Sequence, residues 1–270
     1  MATRAIPSSG EMLPVIGCGT YRGFDVPISG LETLGNVVAT LIDGDAGMLD
    51  TSPMYDKAEA NLGRVLFDLQ ARPRTFIATK VWTRGRRAGI AQMEQSLQLL
   101  RTDHVDLMQV HNLVDAAVHL DTLAGWKADG RTRYVGVTHY HNGAYRELED
   151  VMRRHRLDFV QLNYSLADRV AEERILPLAK DRGIAVIINM PFGGGRFLKM
   201  IGEEPLPPFA SDIGCATWSQ VLLKFAIGHE AVTCAIPGTG NPAHMAANLV
   251  AGRGDLVEDR RHILDWWDGR

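Results

Sequence analysis

Three residues with acid–base side chains close apolar runs in this chain. Asp50 follows Gly47-Met48-Leu49, Lys80 follows Phe76-Ile77-Ala78-Thr79, and His111 follows the run Val105 to Val110. A phenol, Tyr55, comes just beyond Asp50 across the turn Thr51-Ser52-Pro53-Met54. Taken singly, each has an ordinary reading: a helix cap, a solvent-facing strand end, a satisfied polar edge. Together they suit proton donation by Tyr55. A free phenol titrates near pH ~10 and is a sluggish acid at neutrality. A neighbouring Lys80 ammonium favours the phenolate and is expected to lower that pKa. Asp50 would pair with Lys80, keeping it charged and aimed, while His111 would hydrogen-bond a carbonyl oxygen and turn it toward Tyr55. Protonating a carbonyl oxygen leaves its carbon in need of hydride, which no side chain can supply, so a cofactor is implied.

These residues can meet only if their strands are neighbours. Eight short apolar runs recur roughly 25–35 residues apart: Leu13 to Gly17, Gly47 to Leu49, Phe76 to Thr79, Val105 to Val110, Tyr134 to Val137, Phe159 to Leu162, Ala185 to Ile188 and Val232 to Ile236. The segments between them have helix spacing. Ile90, Met93, Leu97 and Leu100 share one face, as do Leu31, Leu34, Val38 and Leu41. Asp129-Gly130 and Arg182-Gly183 put glycine where helices stop before strands. Strands joined by helices run parallel, so the pattern predicts a (β/α)₈ TIM barrel forming one domain over residues 1–270, with a doubly wound sheet as the competitor. In a barrel all strand C-termini open on one face, where Asp50, Lys80 and His111 would lie on three consecutive strands about 4.8 Å apart. The Pro/Gly-rich piece from Pro191 to Gly214 reads as one long loop with a helical turn after strand seven.

Bulk properties exclude several functions. The 270 residues carry a net charge of −3, and no large positive field argues for nucleic acid. The clusters Arg84-Gly85-Arg86-Arg87 and Arg153-Arg154-His155-Arg156 read as solvated faces. Three cysteines, Cys18, Cys215 and Cys234, without a CxxC pair suggest neither a disulfide framework nor a zinc site, and no metal is expected. With no leader-like segment and no long apolar run, a cytoplasmic protein with no membrane partner is expected.

The sequence resembles the aldo-keto reductases over essentially its whole length. Asp50, Tyr55, Lys80 and His111 match that family's catalytic tetrad in order and strand position. Leu49-Asp50-Thr51-Ser52-Pro53-Met54-Tyr55 resembles the family signature, and Gly17-Cys18-Gly19-Thr20-Tyr21 its first-strand motif. The resemblance implies NADPH, with NADH possible, extended across the barrel mouth. Gly19, Thr20, Tyr21 and Asp50 would lie near the nicotinamide, whose carboxamide Thr138, His139 and Gln161 would hold. His139 stands where the family commonly has asparagine, and Asn189 where it often stacks an aromatic. Met190, Phe192 and Gly194 would follow the cofactor toward its pyrophosphate. Gly238, Thr239, His244 and Asn248 would meet the far phosphates beside a helix N-terminus. Two family cations are replaced there, by Gly238 and His244, so the preference for NADPH over NADH should be modest.

Tyr21, Trp82, His111 and Asn112 are the expected substrate wall. A short loop after strand four, with a helical pattern from Val114, suggests an open pocket for a small carbonyl compound. Two other functions compete: a cofactor-sensing partner subunit with weak turnover, and an unrelated metal-dependent barrel. Neither the substrate nor the oligomeric state is legible.

Overall fold

The computed structural model describes residues 1–257 and 259–269. An antiparallel hairpin, β1 (Thr3–Ala5) and β2 (Met12–Pro14), comes first. The parallel strands follow: β3 (Cys18–Gly19), β4 (Met48–Asp50), β5 (Phe76–Val81), β6 (Val105–His111), β7 (Thr132–Thr138), β8 (Phe159–Leu162), β9 (Ala185–Ile188) and β10 (Cys234–Ala235). They pair in sequence order, and β3 and β10 are the ends of that order. Bridges from Ile16 to Ala235 and from Gly19 to Gly238 join the two ends. The expected eight-stranded α/β barrel is therefore the fold.

Helices α1 (Leu31–Asp43), α2 (Ala58–Asp68), α3 (Arg86–Leu100), α4 (Ala116–Ala128), α5 (Tyr145–Arg154) and α6 (Ile175–Asp181) each fill one crossover from β3 to β9. Between β9 and β10 lie α7 (Arg196–Ile201) and α8 (Trp218–Gly228); α9 (Pro242–Val250) and α10 (Arg261–Asp268) come last. The expected long loop after the seventh barrel strand is present, and α7 is its helical turn. The short connection after β6 lasts slightly longer than expected, since α4 begins at Ala116 rather than Val114. No helix among the described residues is long and apolar enough to cross a membrane.

The first strand is a correction. The apolar run from Leu13 to Gly17 does not form it: Met12–Pro14 belongs to the hairpin, and the barrel strand is Cys18–Gly19. Ile6 and Leu13 join the cluster inside the barrel with Met48, Phe76, Leu107, Tyr134, Phe159 and Ile187. The hairpin loop reaches Tyr134, whose hydroxyl lies 2.7 Å from Ser9 Oγ. It thus closes the N-terminal end of the barrel with apolar side chains, a task that gives the same local pattern as a strand.

Side chains alternate along a strand, so every second residue points inward. On β5, Phe76 and Ala78 face the interior cluster while Ile77 and Val81 face the helices. One further inward step changes the chemistry. Met48 is followed by Asp50, Ala78 by Lys80, Leu107 by Gln109 and His111, Phe159 by Gln161, and Ile187 by Asn189. An apolar floor at one end and a polar layer at the other both follow from this one periodicity.

Candidate active site at the barrel mouth

Asp50 is the hub of the polar layer. Lys80, fully buried, donates from Nζ to Asp50 Oδ2 at 2.6 Å and to the Thr51 carbonyl at 2.7 Å. The other carboxylate oxygen accepts from Gln161 Nε2 at 2.7 Å and Gln109 Nε2 at 3.3 Å. Thr138 Oγ1 donates to Gln161 Oε1 at 3.0 Å, which fixes the orientation of that amide. Burial by itself would depress the Lys80 pKa, but the Asp50 carboxylate and Tyr55 outweigh it and hold Lys80 above the usual lysine value. Lys80 is therefore an ammonium at neutral pH.

Tyr55 arrives on the turn after β4. Its N–H donates to the Ser52 carbonyl at 3.0 Å, and its own carbonyl accepts from Ala58 N at 2.9 Å, at the start of α2. The ring centroid lies 5.1 Å from Lys80 Nζ and 5.0 Å from the Tyr21 ring. The expected lowering of its pKa is corrected here. Burial raises the phenol pKa above the ordinary value, and the opposing pull of Lys80 does not overcome it. The phenol keeps its proton through neutrality, so Tyr55 is a loaded acid rather than a partly ionised one.

His111 touches neither Asp50 nor Lys80 by a hydrogen bond. Ser52 Oγ lies 3.2 Å from its Nδ1, and the ring meets Tyr55 edge-on at 6.1 Å. Burial, then the Lys80 charge, then His139 push its pKa down to about 3, so the imidazole is neutral. Trp82 lies 6.4 Å from His111, ring to ring, and is 42 % exposed; Tyr21 is 54 % exposed, so both offer open apolar surface at the mouth. Asn112 adopts a left-handed backbone, φ 51°, and its Oδ1 is buried with no partner among the described residues.

The residues expected around a cofactor ring the same mouth. Thr20 N donates to the Asp50 carbonyl at 2.9 Å, leaving Thr20 Oγ1 buried and unpartnered. His139 N donates to the Gln161 carbonyl at 3.0 Å, and Asn189 Nδ2 to the His139 carbonyl at 3.1 Å. Asn189 Oδ1 is likewise buried without a partner. Met190 and Phe192 lead into Gly193, Gly194 and Gly195, all left-handed at φ 58°, 69° and 87°. A Cβ on Gly193 would also lie 2.4 Å from the Phe197 ring, so both backbone and packing favour glycine there. Gly238 is exposed, Thr239 and Asn248 are buried, and His244 is exposed on α9. The N-terminus of α9 is less open than expected, because Asn241 Oδ1 already accepts the Ala243 N–H at 2.8 Å.

The family model for the aldo/keto reductase family matches residues 16–265. The chain belongs to the aldo-keto reductase family. It is 28 % identical to the methylglyoxal reductase YeaE of Escherichia coli K12, across 98 % of this chain and 95 % of that protein. Identity to the methylglyoxal reductase DkgB of Yersinia pestis is 27 %, across 88 % of this chain and 87 % of the relative. The solved aldo-keto reductase of Klebsiella pneumoniae in complex with NADPH superimposes with a TM-score of 0.83 at 25 % identity, covering 99 % of this chain and 95 % of that one.

Three residues in this family member escaped sequence reasoning. Gln109 shares the inward parity of His111, a signal present in the strand pattern. Ser52 lies inside the turn that carries Tyr55, where serine reads as an ordinary turn residue. Glu59, on α2, accepts from Thr79 Oγ1 at 2.6 Å and Ser96 Oγ at 3.1 Å, on the opposite face of β5 from Lys80.

Proposed function

We propose that this aldo-keto reductase reduces the carbonyl of a small aldehyde, ketone or dicarbonyl with NADPH, and that Tyr55 supplies the proton. The observation that carries the reading is the buried Lys80 ammonium, paired with Asp50 and set beside the protonated Tyr55 phenol. The relatives named for methylglyoxal favour small dicarbonyls, and the exposed Tyr21 and Trp82 leave room for other small carbonyls. No feature of the described residues favours a purely cofactor-sensing role.

The residues present fit the cofactor. Thr20 Oγ1 and Asn189 Oδ1 are buried polar atoms without partners among the described residues, and such atoms are costly unless a ligand or water meets them. Thr138, His139, Gln161 and Asn189 would hold the nicotinamide end together with Gly19, Thr20 and Tyr21. The loop at Met190, Phe192 and Gly194 would run beside the middle, and Gly238, Thr239, His244 and Asn248 would hold the far phosphates. When bound, NADPH supplies the hydride to the carbonyl carbon.

The chain's own groups handle the oxygen. His111, neutral, donates a hydrogen bond to the carbonyl oxygen and orients it. Tyr55 releases its proton to that oxygen as negative charge develops there. The phenolate left behind is stabilised by Lys80, whose charge Asp50 maintains. Lys80 therefore acts chiefly after transfer begins, which is how a phenol with a raised resting pKa serves as the acid.

The test is a nicotinamide fluorescence titration with NADPH and NADH, followed by a carbonyl panel that includes methylglyoxal. Tyr55→Phe should lower kcat by about 10²–10⁴-fold while cofactor binding persists; wild-type turnover in that variant would overturn the mechanism. Because position 238 lacks a cation, NADPH should be preferred by less than about tenfold. A Cβ at Gly238 meets the Gly19 carbonyl at 3.4 Å and the Tyr21 carbonyl at 3.8 Å, both ordinary contacts, so Gly238→Lys should be tolerated. It should raise the preference for NADPH by about three- to tenfold.

A further inference from the structure

We propose that Ser52 is a positioning residue that fixes the tautomer of His111, so that the proton of the neutral ring resides on Nε2 and faces the substrate. This rests on the role given to His111 above.

Ser52 is fully buried, with Oγ 3.2 Å from His111 Nδ1. The same oxygen accepts the Met54 N–H at 3.4 Å. Those are the only two hydrogen bonds of the hydroxyl among the described residues, and they divide its capacity. With Met54 donating to the oxygen, the hydroxyl proton needs an acceptor, and Nδ1 is the one within reach. If Nδ1 carried the proton, the serine oxygen would accept twice and its own hydrogen would be stranded in a buried place, which is costly. The ring is neutral, so it carries one proton, and an accepting Nδ1 leaves that proton on Nε2. His111 Nε2 has no partner among the described residues.

The tautomer decides whether His111 helps or hinders. An Nε2–H donates to a carbonyl oxygen, and more strongly as that oxygen becomes negative. A bare Nε2 lone pair in the same place would repel the oxygen. Ser52 thus acts through the ring without touching substrate.

The experiment compares wild type with Ser52→Ala, protein labelled with ¹⁵N-histidine, using long-range ¹H–¹⁵N correlation. The His111 signals are assigned by their loss in His111→Gln. Wild type should show His111 as the single Nε2–H tautomer, and Ser52→Ala should show averaged ring nitrogens. In steady state Ser52→Ala should lower kcat by about five- to tenfold, with KM for carbonyl and cofactor unchanged. An Nδ1–H ring in wild type overturns the proposal, as does either readout remaining at its wild-type value in Ser52→Ala. Failure of the functional reading looks different: wild type would reduce no carbonyl, or Tyr55→Phe would remain active, whatever the ring signals show.

Discussion

Strand β5 has a buried carboxyl on each face. Asp50, 3 % exposed, lies inside the barrel against Lys80; Glu59, 1 % exposed, lies outside it against Thr79. Thr79 and Lys80 are adjacent residues, so the alternation of the strand sends one to each acid. The surroundings then part company. Asp50 has a full cation at 2.6 Å and two carboxamide donors. Glu59 has the hydroxyls of Thr79 and Ser96, and burial raises its pKa despite them and the more distant Lys80 charge. Hydroxyls satisfy the lone pairs of a buried carboxyl without repaying the desolvation of its charge. The inner acid is thus equipped to hold an ammonium beside Tyr55, while the outer one ties α2 to β5 and α3. Burial alone does not make a chemical site; the partner does.

The difference is sharpest when the cation is removed. Lys80→Met leaves Asp50 buried without its counter-charge, which should cost about 3–5 kcal/mol of unfolding free energy. Carbonyl reduction should fall by at least about 10²-fold. Urea unfolding and steady-state rates measure both, and a loss below about 1 kcal/mol would mean the two acids are not so different.

An intermediate effect is expected at the outer acid, and it appears as a pH dependence. Folded Glu59 keeps a proton that the unfolded chain has released, so its contribution to stability is full below the ordinary glutamate pKa, near 4.5, and is lost as pH rises through the raised folded value. Glu59→Gln should abolish that slope. The difference in unfolding free energy between wild type and variant, followed from about pH 4 to 7, should shift steadily in favour of the variant. Turnover should remain within about twofold of wild type. Smallest of all, Ser96→Ala removes one neutral hydrogen bond and should cost about 1 kcal/mol with no change in kcat. A large rate loss in Glu59→Gln would break the comparison, because the outer acid would then belong to the chemistry.

Much of the site was visible in the chain. Asp50, Lys80 and His111 close apolar runs, and the structure brings all three to one mouth with Tyr55. Gln109 was equally visible by parity. The hairpin was not: Leu13 is apolar because it floors the barrel, and a floor residue is indistinguishable from a strand residue when only its neighbours in sequence are known. At the N-terminus of α9, Asn241 takes up the Ala243 N–H, one of the groups the sequence offers to a phosphate, and that pairing shows only in the structure.

What the sequence determined by itself is periodic: along β4 to β9, which residues face inward, and therefore which polar groups share the mouth. Periodicity is local and survives without coordinates. What only the tertiary structure decided is who pairs with whom and at what electrostatic cost. Asp50 gathers donors from 30 and 111 residues away. His111 is held by a turn serine, and the balance at Tyr55 tips toward burial rather than toward Lys80. Those outcomes depend on the water excluded and the charges left within a few ångströms, quantities that do not exist until the barrel closes.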